Sequence, residues 1–265
     1  MVPTPFFLPG GLLSLAAMVA YAVPTLGMRR LSPVQARLAL RCAWVLHGLT
    51  LAVTLLASPA HFGFAPALSI TAWLMLTVYA VEQQLFPQMR ARWALAALGA
   101  ASVALALVFP GQPMHVQASA WLPLHLALGI ACYGLFAAAV VHATLMSQAE
   151  QRMRQGAESD SGMPLLLLER LTFRFVTAGF ILLTATLLAG WLFGEQLYGR
   201  SWRWNHKEVF SVLSWGVFAV LLLGRKRFGW RGHHAVRMIY AGALLLLLAY
   251  VGSRFVMEVM LHRFA

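Results

Sequence analysis

The stretch Gly199-Arg200-Ser201-Trp202-Arg203-Trp204-Asn205-His206-Lys207-Glu208 stands where two long apolar runs meet, about 171–194 and 206–224. Indole rings favour the boundary between hydrocarbon and water, so Trp202 and Trp204 read first as an aromatic belt. Apolar runs of this length on either side of such a belt are membrane helices. The belt does not account for the amide, histidine, lysine and acid packed in with the tryptophans.

Working outward, hydrophobic residues make up 60% of the chain and charged residues 11%, a balance that excludes an ordinary soluble domain. Eight candidate spans follow, at about 10–28, 36–57, 66–86, 93–109, 118–147, 171–194, 206–224 and 235–260. Most approach the roughly 20 residues a bilayer needs. Within lipid every backbone amide must be paired inside its own segment, so the spans are helices. The fold class is therefore all-α, a polytopic helical membrane protein with residues 1–265 as one transmembrane domain. Cys42 and Cys132 sit alone in apolar runs with neither CxxC nor zinc spacing, which excludes thiol chemistry. No cleavable signal peptide is expected, because no basic residue precedes the first apolar run.

A formal charge of +12 does not indicate nucleic acid, because the basic residues sort by loop. Fifteen of the twenty Lys and Arg follow spans one, three, five and seven: Arg29, Arg30, Arg37, Arg41, Arg90, Arg92, Arg152, Arg154, Arg170, Arg174, Arg225, Lys226, Arg227, Arg231 and Arg237. The positive-inside rule makes those loops cytoplasmic, with both termini and the 199–208 block outside. The mixed-charge segment 148–170 reads as a cytoplasmic linker with a short interfacial stretch, Leu165–Leu168. No soluble catalytic domain or catalytic residue set stands out, and the chain reads as a non-enzyme.

Depth in the membrane separates the histidines. His233 and His234 lie in a basic loop, His115 lies in an outer loop, and His61 opens the third span. His125 and His206 share a level near the external ends of spans five and seven. His47, six residues after Arg41, and His142, eight before Glu150, share a second level roughly 9–12 Å in from the cytoplasmic face. Ionisable residues inside spans are costly and are functional candidates. The alternative for each buried imidazole is a hydrogen bond to a neighbouring helix. For His206 it is a helix cap, and for His125 an interfacial anchor.

Read as Gly-x-x-Trp-x-Trp-Asn-x-Lys-Glu, with Ser211 and Trp215 after it, the block resembles the tryptophan-rich signature of the cytochrome c assembly family. These are haem-handling membrane proteins of bacteria and plastids. Asn205 stands where the family pattern has Asp, and His206 where it has Pro. Leu124-His125-Leu126 before Ala131-Cys132-Tyr133-Gly134 resembles the family's external histidine and the helix after it. His61-Phe62 before Trp73, and Tyr250, Gly252 and His262 at the end, extend the likeness over roughly residues 45–262. The smaller eight-span branch of the family is the nearest in size.

The resemblance implies a bacterial inner-membrane protein that holds or relays haem b at the external face, linked to cytochrome c assembly. An axial imidazole pair needs one residue from each of two facing helices. His125 with His206 would form the outer pair, with His262 and His61 as lesser candidates, and His47 with His142 an inner pair. Trp202 and Trp204 would floor the porphyrin, and Arg200, Arg203 and Lys207 would meet its carboxylates. Partners would be haem, the lipid bilayer, and an apocytochrome c or other assembly proteins, with no nucleic acid. Two other readings stand beside it: a two-haem electron-transfer protein, which would use the same ligands, and a cofactor-free accessory or transport protein.

Overall fold

The computed structural model describes residues 9–27, 31–57, 61–85, 92–113, 122–156, 164–194 and 204–260. They are almost wholly helical and fall into two compact units, Met1–His115 with Met257–Ala265, and Val116–Val256.

The first unit holds α1 (Pro9–Leu26), α2 (Pro33–Leu56), α3 (Phe64–Leu85) and α4 (Arg92–Val108). Helix α2 starts where Ser32 and Gln35 close a capping box with Pro33 at the first turn, so the otherwise orphaned amides are satisfied locally. α1 packs on α2 and α4, and α3 packs on the same two helices, which closes a four-helix ring. Its core is sealed by Tyr21, Ala43, His47, Leu76 and Val103. On the α2–α3 seam Trp44 and Trp73 stack at 5.3 Å and 7°. Both indole N–H groups are satisfied there, Trp73 on the Trp44 carbonyl at 3.0 Å and Trp44 on Thr77 Oγ1 at 2.8 Å. A buried indole without such a partner would leave a costly donor in lipid. The segments expected to form outer loops are joined by a short ribbon, β1 (His61–Phe62) with β2 (Gln112–Pro113), antiparallel with His61 opposite Pro113. Gly111 turns into it at φ 83°, where a Cβ would lie 2.6 Å from the Phe62 carbonyl carbon; only glycine fits.

The second unit holds α5 (Leu122–Arg154), α6 (Leu165–Leu192), α7 (His206–Phe228) and α8 (Gly232–Leu247). The last helix continues through the π-helical turn Leu248–Gly252, and the π-helical turn Val256–Met260 that follows falls almost wholly within the first unit's residues. α5 packs on α6 and α8, and α7 packs on the same pair, so α5 and α7 are diagonal. The diagonal is closed by Phe136 and Phe218, stacked at 3.9 Å and 10°. Each ring is backed by a glycine: a Cβ on Gly179 would lie 3.1 Å from Phe136, and one on Gly242 would lie 2.7 Å from Phe218. All four helices thus meet in one layer whose thickness is set by two rings and two absent side chains. Ser214 donates to the Gly242 carbonyl at 2.8 Å beside it. On α6 the hydroxyls of Thr172, Thr177, Thr184 and Thr186 each donate to the carbonyl four residues back, so they bring no unsatisfied donor into lipid.

Six helices are long and apolar enough to cross a bilayer, and two shorter apolar helices, Gly10–Leu26 and Ala94–Val108, complete the eight expected spans. The chain is a polytopic helical membrane protein. Parts of the linker expected at 148–170 are helical: α5 runs on to Arg154, and α6 already begins at Leu165. A salt bridge from Arg154 to Glu150 at 2.6 Å, spaced i,i+4, supports the last turn of α5 and turns apparent linker charge into helix surface.

Candidate functional site

Asn205 caps α7 and closes a capping box with Glu208, whose Oε2 accepts the Asn205 amide at 3.2 Å. Asn and Asp are near-equal caps, so Asn205 keeps the cap while removing a charge. This explains the amide and the acid of the block. They start a helix and leave His206 and Lys207 in its first turn. His206 is exposed, while Lys207 is half-buried.

Three other elements of the second unit meet this end. His125, half-buried, comes from the first turn of α5 and lies within electrostatic range of Lys207. Tyr250 and Arg254 come from the end of the last helix. Lys207 Nζ stands 5.9 Å from the Tyr250 ring centroid, and the Arg254 guanidinium 5.9 Å from the same centroid. The π-helical turn that carries Tyr250 is pinned from α5 by Tyr133, whose hydroxyl donates to the Leu246 carbonyl at 2.6 Å. On the α6–α7 side, Leu187, Leu188, Trp191, Trp204 and Val212 line an open apolar cleft of about 360 Å³. Trp191 and Trp204 are 64% and 69% exposed.

The opposite end of this unit differs in character. There Arg225 pairs with Glu169 at 2.8 Å and lies 3.5 Å over the Phe173 ring, and Arg231 approaches the same carboxylate at 3.5 Å. Within the unit, the histidine–tryptophan end and the basic-loop end are therefore separate, as the charge pattern implied.

Sequence-expected residues distribute as follows. His125, His206, Lys207 and Trp204 belong to one end of the second unit. Arg200, Trp202, Arg203 and His262 lie outside the described residues. His47 belongs to the first unit and is fully buried between Tyr21, whose hydroxyl is 3.1 Å from Nδ1, and Ser69, whose hydroxyl is 2.8 Å from Nε2. His142 belongs to the second unit, buried against Phe175, with Nδ1 2.9 Å from the Ala138 carbonyl. With Nδ1–H on that carbonyl, the neutral ring carries its lone pair on Nε2, the tautomer a metal ligand needs. His61, half-buried, is in the β-ribbon of the first unit. Sequence reasoning missed Trp191 and Arg254. The repeat Leu187, Leu188, Trp191 on one helical face was the available signal for the first. A lone arginine six residues before the end of the last expected span was the signal for the second.

Chemically, this end offers an imidazole, two cations, a phenol and a cleft with two exposed indoles. Its described acid, Glu208, is committed to the helix cap. Such a set suits a flat ligand with a coordinating centre and carboxylates rather than a bare cation.

Comparison with known proteins gives a match to the family model described as cytochrome C assembly protein over residues 31–261. The inner membrane protein YpjD of Escherichia coli K12 is 32% identical over 160 residues, covering 59% of this chain and 60% of that protein. The cytochrome c biogenesis protein CcsA of Prochlorococcus marinus NATL1A is 34% identical over 85 residues, 32% of this chain and 27% of that protein. CcsA of Synechococcus sp. RCC307 is 27% identical over 158 residues, about half of each chain. The matched part thus spans less than two thirds of each of these relatives.

Proposed function

The chain belongs to the cytochrome c assembly family, and on that premise we propose that it holds or relays haem b at the external face of a bacterial inner membrane. The observation that carries the reading is the convergence of His125, Lys207, Tyr250 and Arg254 at the end of the second unit that carries Trp191 and Trp204. Haem, when bound, supplies an iron with two axial positions and two propionate carboxylates. His125 offers one neutral imidazole, and His206, in the first turn of the diagonal helix, offers the second, with His262 as its substitute. Trp204 and Trp191 shield a porphyrin face from water. Holding and presenting haem needs no covalent chemistry from these residues, so no enzymatic role is proposed. An apocytochrome c or another assembly protein would be the recipient. Purified protein from haem-replete cells should show a Soret band; a colourless protein that gives no saturable Soret band on haem addition would sink the reading.

The sidedness is tested separately. With Cys42 and Cys132 replaced by Ser, Ser201→Cys should react with an impermeant thiol reagent in intact cells, and Ser159→Cys should not. The reverse pattern would invert every face assigned from the basic loops.

His47, in the first unit, and His142, in the second, are further candidate ligands, each taken by itself. For His47 to bind iron, one ring nitrogen must exchange a hydroxyl partner, Tyr21 or Ser69, for the metal. Two filled sites predict about two haems per chain in the wild type and about one in the His47→Ala, His142→Ala double variant. A wild type that saturates at one haem, unchanged by the double substitution, leaves only the outer site.

A further inference from the structure

We infer that the hairpin joining α7 to α8 is a docking site for the headgroup of an anionic phospholipid, with Lys226, Arg227 and Arg237 as its cations and Phe228 among the acyl carbons. The inference is independent of haem and concerns the opposite end of the second unit. Residues 225–237 hold five Lys and Arg and no acid. Glu169 on α6 engages two of the five, Arg225 at 2.8 Å and Arg231 at 3.5 Å. Arg225 is further committed to the Phe173 ring, 3.5 Å below its guanidinium. Lys226, Arg227 and Arg237 are exposed and form no ion pair among the described residues. One carboxylate against five cations leaves an excess of positive charge that a phosphate would offset. Each such cation near an anionic bilayer surface contributes about fivefold in affinity.

The hairpin presents these charges on a fixed frame. Gly229 turns the chain at φ 66°, and the Trp230 amide donates back to the Gly224 carbonyl at 3.4 Å. The Trp230 ring lies over Gly224, where a Cβ would overlap it, and meets His234 edge-on at 4.5 Å. Phe228 stacks on Trp230 at 6.1 Å and 28°, yet remains 76% exposed. An apolar ring standing among cations at a helix end suits the boundary where headgroups meet hydrocarbon. The alternative is diffuse: the cations complement the carboxyl end of α7 and otherwise only set the orientation of the chain.

Fluorescent short-chain phosphatidylglycerol and phosphatidylcholine, with identical chains and dye, separate the two. In anisotropy titrations of the detergent-purified full-length protein, the wild type should bind phosphatidylglycerol at least about tenfold tighter than phosphatidylcholine. The Lys226→Gln, Arg227→Gln double variant should bring that preference to within about twofold. Its phosphatidylcholine binding should be unchanged, which also shows that it is folded. Arg37→Gln with Arg41→Gln removes the same charge from the first unit and should keep the wild-type preference. Phe228→Ser should weaken both lipids and leave their ratio. Equal loss of preference in the two double variants would mean a diffuse field and overturn the site, as would a wild type without preference. Saturable binding of an oligoglutamate peptide by such a wild type, lost in Lys226→Gln, Arg227→Gln, would assign the hairpin to an acidic protein segment instead.

Discussion

Replacing His125 by Ala is expected to weaken haem binding by more than about 100-fold, since perturbing even the outer-shell partners of metal ligands costs 10–100-fold. The residual complex should show a displaced Soret band, and added imidazole should restore much of the wild-type spectrum by filling the vacated axial position. The physical reason lies in the helix. His125 is in the first turn of α5, half-buried and near Lys207, where its neighbours constrain its position. His206, exposed in the first turn of α7, has more freedom, so His206→Ala should cost less. A His125→Ala protein with wild-type saturation and an unmoved Soret band would show that the outer iron is held elsewhere.

The second large effect is on stability. Gly242→Ala places a methyl group 2.7 Å from the Phe218 ring, too close for any real contact. The ring cannot retreat: it stacks on Phe136 at 3.9 Å, and Phe136 is itself pressed on Gly179. Overpacking of this kind costs about 1–3 kcal/mol. It exceeds the gain of up to about 1 kcal/mol that Ala brings over Gly in a helix. The unfolding midpoint of the purified protein should therefore fall. Gly216→Ala is the matched control, because nothing lies within 4 Å of its added Cβ, and it should be neutral or mildly stabilising. Equal midpoints for the two variants would mean that the stacked layer does not limit packing. Gly242→Ala with Phe218→Leu should recover part of the loss, since a smaller side chain then meets the methyl group.

What could be read along the chain was what depends on local chemistry. All eight expected spans are helices, with boundaries that shift by a few residues. The exception, residues 148–154 and 165–170, looked like linker because it is charged. Glu150 and Arg154 in fact stabilise the helix they extend. The Asn205…Glu208 spacing was legible as a capping box, yet the tryptophans beside it drew the reading toward a ligand-binding block. The cap is what presents His206 and Lys207 in the first turn.

The site was only partly legible. Counting from the basic residues leads one to expect His125 and His206 at one level and His47 and His142 at another. Depth, however, is one coordinate of a helical residue, and rotation about the axis is the other. Tyr21 and Ser69, the partners of His47, are 26 and 22 residues away in sequence, and nothing local marks them. Trp191 and Arg254 each had a local signal, but that Trp191 meets Trp204 in one cleft, and that a π-helical turn carries Tyr250, was in no local pattern. The sequence by itself determined the class of protein and where each helix runs, because hydrocarbon obliges every apolar segment to satisfy its own amides within itself. Only the tertiary structure decided which faces meet. Lipid tails are as apolar as the side chains, so burial does not choose the contacts. That choice falls to close packing, as at Gly179–Phe136–Phe218–Gly242, and to the few hydrogen bonds made between helices.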